Sequence, residues 1–154
     1  MVSAKNQEND PLLLDRQVCF PLYAATNLLN RLYTPVLSRI GLTYSQYLVM
    51  LVLWEESPQT VGALGKRLYL DSGTLTPLLK RMEAAEFITR KRDPEDERRV
   101  LIALTPKGRK LRTQAAHVPD ELSKGIEMEE TEQLRDHVRE LVTILAAHVH
   151  SDSI

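Results

Sequence analysis

Cysteine is nearly absent from this chain: Cys19 is the only one among 154 residues. A single cysteine excludes an internal disulfide and fits a reducing compartment, so a cytoplasmic location is expected. Long apolar runs are missing too. The longest, "YLVMLVLW" at 47–54, is too short to span a bilayer and fits a buried helix. The N-terminal "MVSAKNQENDP" carries no apolar signal-peptide core, which argues against export. The sequence holds no glycine-rich phosphate loop and no nucleophile elbow. His117, His137, His148 and His150 match no zinc-ligand spacing, so no metal and no cofactor is expected. What is there is ordinary for a water-soluble protein, 43% hydrophobic and 27% charged. Its length suffices for one domain with a real core or for two small intertwined lobes.

The net charge of −1 conceals an asymmetry. Residues 1–79 balance six basic side chains against six acidic ones. Residues 80–112 carry eleven basic and six acidic, and residues 113–154 carry three basic and nine acidic. A basic middle with an acidic tail points to a localised anion-binding face, although a plain solvated charge run gives the same count.

Periodicity places the elements. Residues 12–40 read as a long helix with Leu22, Leu29, Leu32 and Val36 near helical spacing. Pro21 is harmless only in a first turn, so the regular helix is expected to start near Cys19 after an irregular lead-in. Pro35 should end or kink it. In "GLTYSQY" Gly41 closes that segment, and Thr43 with Gln46 forms a capping box for a helix apolar nearly all round. Thr60 caps a short helix with Val61, Leu64 and Leu68 inward. "LDSG" at 70–73 is a tight turn whose Asp71 or Ser72 caps the next helix. That helix turns Leu75, Leu78, Leu79 and Met82 inward. "FITRKR" and "RRVLIALT" read as two basic strands joined by the polar loop "DPEDE". Thr105-Pro106 starts a helix expected to run to about Ser123 with a kink at Pro119. A last helix, about Glu129–His150, lines Leu134, Val138, Leu141, Leu145 and Val149 on one stripe, which suits a subunit interface.

Two helices joined by a short turn and followed by a basic hairpin make a winged helix-turn-helix. The expected fold class is therefore mainly α with a small β wing, a dimer intertwined through its N- and C-terminal helices. Residues 43–104 form the reading head, and 12–40 and 105–150 the dimerisation helices of a single chain, 1–154. Such a head suits duplex DNA. Ser72, Thr74 and Thr76 stand where short polar side chains reach base edges. Lys80, Arg81, Lys91 and Arg92 can neutralise phosphates, and Arg98 or Arg99 near the wing tip can enter a minor groove. A winged helix used only for protein contacts is the blander alternative. Cys19, at a helix start where the dipole and free N–H groups stabilise a thiolate, is either a reactive group or a small core residue.

These residues resemble a known family. "DPEDERRVLIALTPKG", within 57–108, is similar to the wing and following helix of the MarR family of dimeric winged-helix regulators. "LLLDRQVCFPLYAATNLLNRLYTPVLSRIGLTYSQYLVMLVLWE" and "LYLDSGTLTPLLKRME" closely resemble the organic hydroperoxide resistance regulators, the L-D-x-Q-x-C-F motif being the most specific part. The resemblance implies that Cys19 is the peroxide sensor. It implies that Tyr33 and Tyr44 hydrogen-bond the sensor from the other subunit, with Tyr23 a further aromatic near that pocket. It places Ser72, Thr74, Thr76 and Arg81 on the recognition helix, and Asp96 and Arg98 in the wing. Two departures stand out. "SKGIEMEETEQ" lacks the second cysteine that some members use for an intersubunit disulfide, and Pro21 replaces a larger apolar residue.

The implied function is that of a repressor, not an enzyme. It would bind a pseudo-palindromic double-stranded operator as a homodimer, with no membrane association. Oxidation of Cys19 by an organic hydroperoxide, with a low-molecular-weight thiol as a further reactant, would release the operator and derepress peroxide-detoxification genes. A MarR-type regulator of another oxidant, such as hypochlorous acid, or of a phenolic ligand is the alternative. A thiol peroxidase is a third reading, disfavoured by the complete winged helix and the missing resolving cysteine.

Overall fold

A computed structural model describes residues 10–124 and 128–151. The polar N-terminal residues 1–9 and the side chain of His150 lie outside the described part. A short three-ten turn, Leu14–Arg16, leads into α1, Cys19–Ser38. Then come α2 (Tyr44–Glu55), β1 (Gln59–Thr60), α3 (Val61–Leu68), α4 (Ser72–Ala84), β2 (Ile88–Arg92), β3 (Val100–Leu104), α5 (Pro106–Ala115), α6 (Val118–Leu122) and α7 (Met128–Ser151). Among the described residues no helix is long and apolar enough to cross a membrane.

Local chemistry accounts for the boundaries. Pro21 occupies the third position of α1, where a missing N–H costs nothing. Of the two outcomes expected at Pro35, an end or a kink, the first does not occur: it falls in the last turn, where one carbonyl loses its partner, and the helix runs on to Ser38. Thr43 and Gln46 form the expected reciprocal box: the Gln46 N–H donates to Thr43 Oγ1 at 3.4 Å and the Thr43 N–H to Gln46 Oε1 at 3.0 Å. That bond explains how Gln46 tolerates burial. Thr60 and Thr105 cap α3 and α5, each accepting from a backbone N–H at 3.0 Å.

The chain divides into two compact units, Met1–Ala116 and His117–Ile154. In the first, α2 is the centre, burying Tyr47, Val49, Met50, Val52 and Leu53. Around it close Leu37, Leu64, Leu75, Leu79, Met82, Ile88 and Ile102, all fully buried. Each such side chain stabilises the fold by about 1.5–3 kcal/mol relative to leaving it in water. The sheet is antiparallel in the order β1-β3-β2. β2 and β3 form the expected hairpin, from Ile88↔Leu104 to Arg92↔Val100. β1 is an addition that sequence patterning misses: two residues pair Gln59↔Ile102.

One helix boundary corrects the sequence reading. The segment after Thr105 is not one kinked helix to Ser123. α5 stops at Ala115, and α6 restarts at Val118 with Pro119 in its first turn. Pro119 has no N–H to give the Ala115 carbonyl, so the ladder ends there instead of bending. In the second unit α7 leaves Leu134, Val138, Ile144, Leu145 and Val149 exposed. α1 likewise exposes Phe20, Tyr23, Leu28, Leu29 and Leu32. Apolar faces of this extent mark interaction surfaces.

Candidate nucleic-acid interface and redox centre

The reading helix is α4. Asp71 is its cap, resolving the choice between Asp71 and Ser72: Oδ1 accepts from the Thr74 N–H and Oδ2 from the Thr74 hydroxyl, both at 2.9 Å. These bonds, the backbone one foremost, hold the Asp71 carboxyl below its usual range. Leu75, Leu78, Leu79 and Met82 are buried as expected, which fixes the rotation of the helix. Ser72, Thr74, Lys80 and Arg81 consequently face outward, while Thr76 is half-buried. Thr74 differs from a free base-reading hydroxyl, because its proton is committed to Asp71 and only its acceptor lone pairs face out.

α4 is held at both ends. Gly65 in α3 allows the turn to close; a Cβ there would lie 2.7 Å from the Leu70 carbonyl oxygen. At the far end Lys107 Nζ donates to the Ala85 carbonyl at 2.8 Å and lies 5.1 Å over the Phe87 ring. Glu83 ties the helix to the wing, accepting from Arg90 Nε at 2.9 Å and from the Arg90 N–H at 3.2 Å. The Arg90 side-chain bond, more than its charge, draws the Glu83 carboxyl down. Sequence reading missed both contacts, since neither Glu83–Arg90 nor Lys107–Ala85 follows a local spacing rule.

The wing loop, residues 93–99, is a folded bracket. The Asp93 N–H donates to the Arg99 carbonyl and the Arg99 N–H to the Asp96 carbonyl, both at 2.9 Å. Arg92 Nη1 donates to the Glu97 carbonyl at 2.8 Å, and Arg99 pairs with Asp93 at 3.3 Å. Asp96 receives Arg98 in two-pronged fashion, Nε at 3.0 Å and Nη2 at 3.2 Å. That side-chain bond leads the causes that lower the Asp96 carboxyl. Arg98 remains 90% exposed at the tip. The loop therefore projects Arg98 while Asp96 limits its rotamers, and Lys91 and Arg92 stand exposed along β2. Arg99 is bound inward to Asp93 and Asp96, so of the two arginines Arg98 is the one that projects.

Cys19 opens α1 and is exposed. Tyr33 is fourteen residues further along the same helix, about 21 Å away at 1.5 Å per residue. The Tyr33 and Tyr44 rings lie 4.6 Å apart, with Tyr47 at 6.1 Å from Tyr33 and Trp54 at 6.4 Å from Tyr47. Burial raises the Tyr33 and Tyr44 phenols, with Tyr44 adding to the effect on Tyr33, so both remain O–H donors at neutral pH. Within one chain, then, the tyrosine pair is assembled but Cys19 is not beside it. Tyr23, 67% exposed, stands four residues after Cys19 on the same helix and so on the same face. Tyr47 completes the aromatic cluster without any motif to mark it.

Comparison with known proteins gives a consistent picture. Residues 31–114 match the transcriptional regulator SarA/Rot family model. The chain is 46% identical over 136 residues to the organic hydroperoxide resistance transcriptional regulator of Bacillus subtilis, covering 88% of this chain and 92% of that protein. AbfR of Staphylococcus epidermidis is 34% identical, with a TM-score of 0.73 over 94% of this chain and 99% of that one. Reduced AbfR bound to DNA matches at 37% identity and a TM-score of 0.74, over 86% and 96% of the two chains. Overoxidized AbfR bound to DNA matches at 38% and 0.71, over 86% and 95%.

Proposed function

Because the chain belongs to the MarR family of winged-helix transcriptional regulators, in its organic hydroperoxide resistance group, we propose that it is a homodimeric operator-binding repressor switched by oxidation of Cys19. The observation that carries this reading is the separation of parts. An exposed cysteine opens α1, and Tyr33, half-buried against Tyr44 of α2, lies about 21 Å further along that helix, too far to meet it in one chain. The exposed apolar faces of α1 and α7 favour a second copy, whose tyrosine pair then completes the site around Cys19.

The chemistry is balanced as follows. The Cys19 thiolate attacks one peroxide oxygen, the O–O bond breaks, and the alkoxide leaves and takes a proton to become an alcohol. Sulfur is oxidised to sulfenic acid and the peroxide is reduced. With no second cysteine, a small thiol condenses with the sulfenic acid to a mixed disulfide and water, or further peroxide carries it to sulfinic acid. A bulky or charged group at a packed subunit seam strains it, and a shift there changes the spacing of two reading heads that must match one helical turn of DNA.

AbfR has been captured on DNA both reduced and overoxidized, so the two oxidation products require separate tests here. Operator binding by wild type and Cys19→Ser is titrated after treatment with cumene hydroperoxide alone and with added small thiol. Loss of binding in wild type with either treatment, and in neither for Cys19→Ser, supports the reading. Equal behaviour of the two proteins overturns it.

A further inference from the structure

We infer that Tyr69 is a positioning residue for DNA, its hydroxyl donating to a backbone phosphate beside the groove that α4 enters; this rests on the DNA-binding reading above. Tyr69 occupies the turn between α3 and α4 in the left-handed region, φ 55° and ψ 39°. A bulky side chain is rare there, and glycine or asparagine would adopt the same backbone at less cost. Its N–H already closes α3 by donating to the Gly65 carbonyl, a role any non-proline residue fills. The ring contributes little to the core, since Tyr69 is 65% exposed. Among the described residues its hydroxyl has no hydrogen-bond partner. The fold thus places an expensive side chain where it does nothing for the folded protein alone.

Its position gives it something to do. Tyr69 stands two residues before the Asp71 cap and three before Ser72, the first residue of the helix. Three extended residues span at most about 11 Å, so its backbone lies within that distance of the end of α4 that enters a major groove. The groove is about 12 Å wide, which puts its phosphate walls within side-chain reach of that turn. Among such contacts a phenol O–H is a neutral donor. It fixes register without releasing a counterion and without reading sequence.

The test uses full-length wild type, Tyr69→Phe and Tyr69→Gly on an inverted-repeat duplex from the protein's own upstream region. Each is titrated by fluorescence anisotropy at several salt concentrations and melted without DNA. Tyr69→Phe should weaken binding about fivefold, the worth of one hydrogen bond, with an unchanged salt slope and equally on half-site variants. Tyr69→Gly should bind at least as weakly as Tyr69→Phe yet melt about 2 °C higher, because the left-handed strain is relieved. Wild-type affinity in Tyr69→Phe overturns the inference. So does a melting temperature of Tyr69→Gly that falls together with its affinity, since the residue would then be structural. If wild type itself fails to bind any duplex, the DNA-binding reading fails and the inference falls with it.

Discussion

Gly108→Ala sets two physical effects against each other. Alanine is the better helix former, and at an ordinary helical position the exchange stabilises by about 1 kcal/mol. At this site the new Cβ would lie 2.1 Å from the Phe87 carbonyl oxygen, 3.1 Å from its carbonyl carbon and 3.2 Å from Leu104 Cδ2. The first of these is backbone at the head of β2, so α5 must retreat by about 1 Å to reach ordinary van der Waals contact, near 3.2 Å. That retreat stretches the bond from Trp54 Nε1 to the Gly108 carbonyl, now 2.9 Å, and the bond from the Thr105 N–H to the Phe87 carbonyl, now 3.1 Å. Overpacking costs about 1–3 kcal/mol, and each weakened bond adds up to about 1. Sterics therefore win, with a net loss of about 2–3 kcal/mol and a melting temperature lower by roughly 4–12 °C. Thermal unfolding followed by fluorescence measures it, and Trp54, the only tryptophan, reports on the same contact through its emission. A melting temperature equal to or above wild type, with unchanged emission, refutes the reasoning.

Other changes have equally definite outcomes. Asp71→Ala should lower the melting temperature and weaken operator binding, whereas Asp71→Asn keeps an acceptor for the Thr74 N–H and should lose less of both. The Asp71, Glu83 and Asp96 carboxyls are lowered in the fold. Their stabilisation is therefore present above the unfolded carboxylate value, near 4, and is lost as pH falls through the lower folded values; melting temperatures measured from pH 6 down to pH 2 should fall accordingly, and less steeply for Asp71→Asn. Lys80→Gln should reduce the salt dependence of DNA binding by about 0.9 in log–log slope if that side chain meets a phosphate, an outcome read directly from anisotropy titrations. Arg98→Ala should reduce affinity most on duplexes whose wing-contacted flanks are A·T-rich, and Asp96→Asn, which loosens Arg98 without removing it, should show a smaller loss of the same kind.

The sequence was most informative where chemistry is local. The Thr43–Gln46 box, the caps at Thr60 and Thr105, and the inward face of α4 at Leu75, Leu78, Leu79 and Met82 all follow from spacing within a turn or two of helix. The start of α1 at Cys19 was legible because Pro21 tolerates only the first turn. What was not legible depends on residues distant in sequence. β1 is two residues long and exists only because β3 lies beside it. Gly108 is dictated by Phe87, and Glu83 by Arg90. The break before α6 was misjudged because Pro119 reads the same from sequence whether it bends a helix or begins one. At the candidate redox centre the motif pointed to Cys19 and the tyrosines, but the stacking of Tyr33 of α1 on Tyr44 of α2 emerges only from the packing of the two helices. Thr74 and Arg99, both candidate DNA contacts by position, turn out to be engaged with Asp71 and with Asp93 and Asp96.

The most direct test of the account is whether Cys19 and the tyrosine pair meet across two chains. Cys19 can be oxidised stoichiometrically with cumene hydroperoxide and the sulfenic acid trapped with dimedone, in wild type and in the double variant Tyr33→Phe/Tyr44→Phe, each studied as the dimer. Mixed dimers carrying Cys19→Ser in one chain and the two phenylalanines in the other separate the arrangements. If the site is shared between chains, the remaining Cys19 in that mixed dimer faces the two tyrosines of the Cys19→Ser chain, and trapping should run at the wild-type rate per site. Trapping as slow as in the double variant would contradict the account, because Cys19 would then depend on the phenols of its own chain.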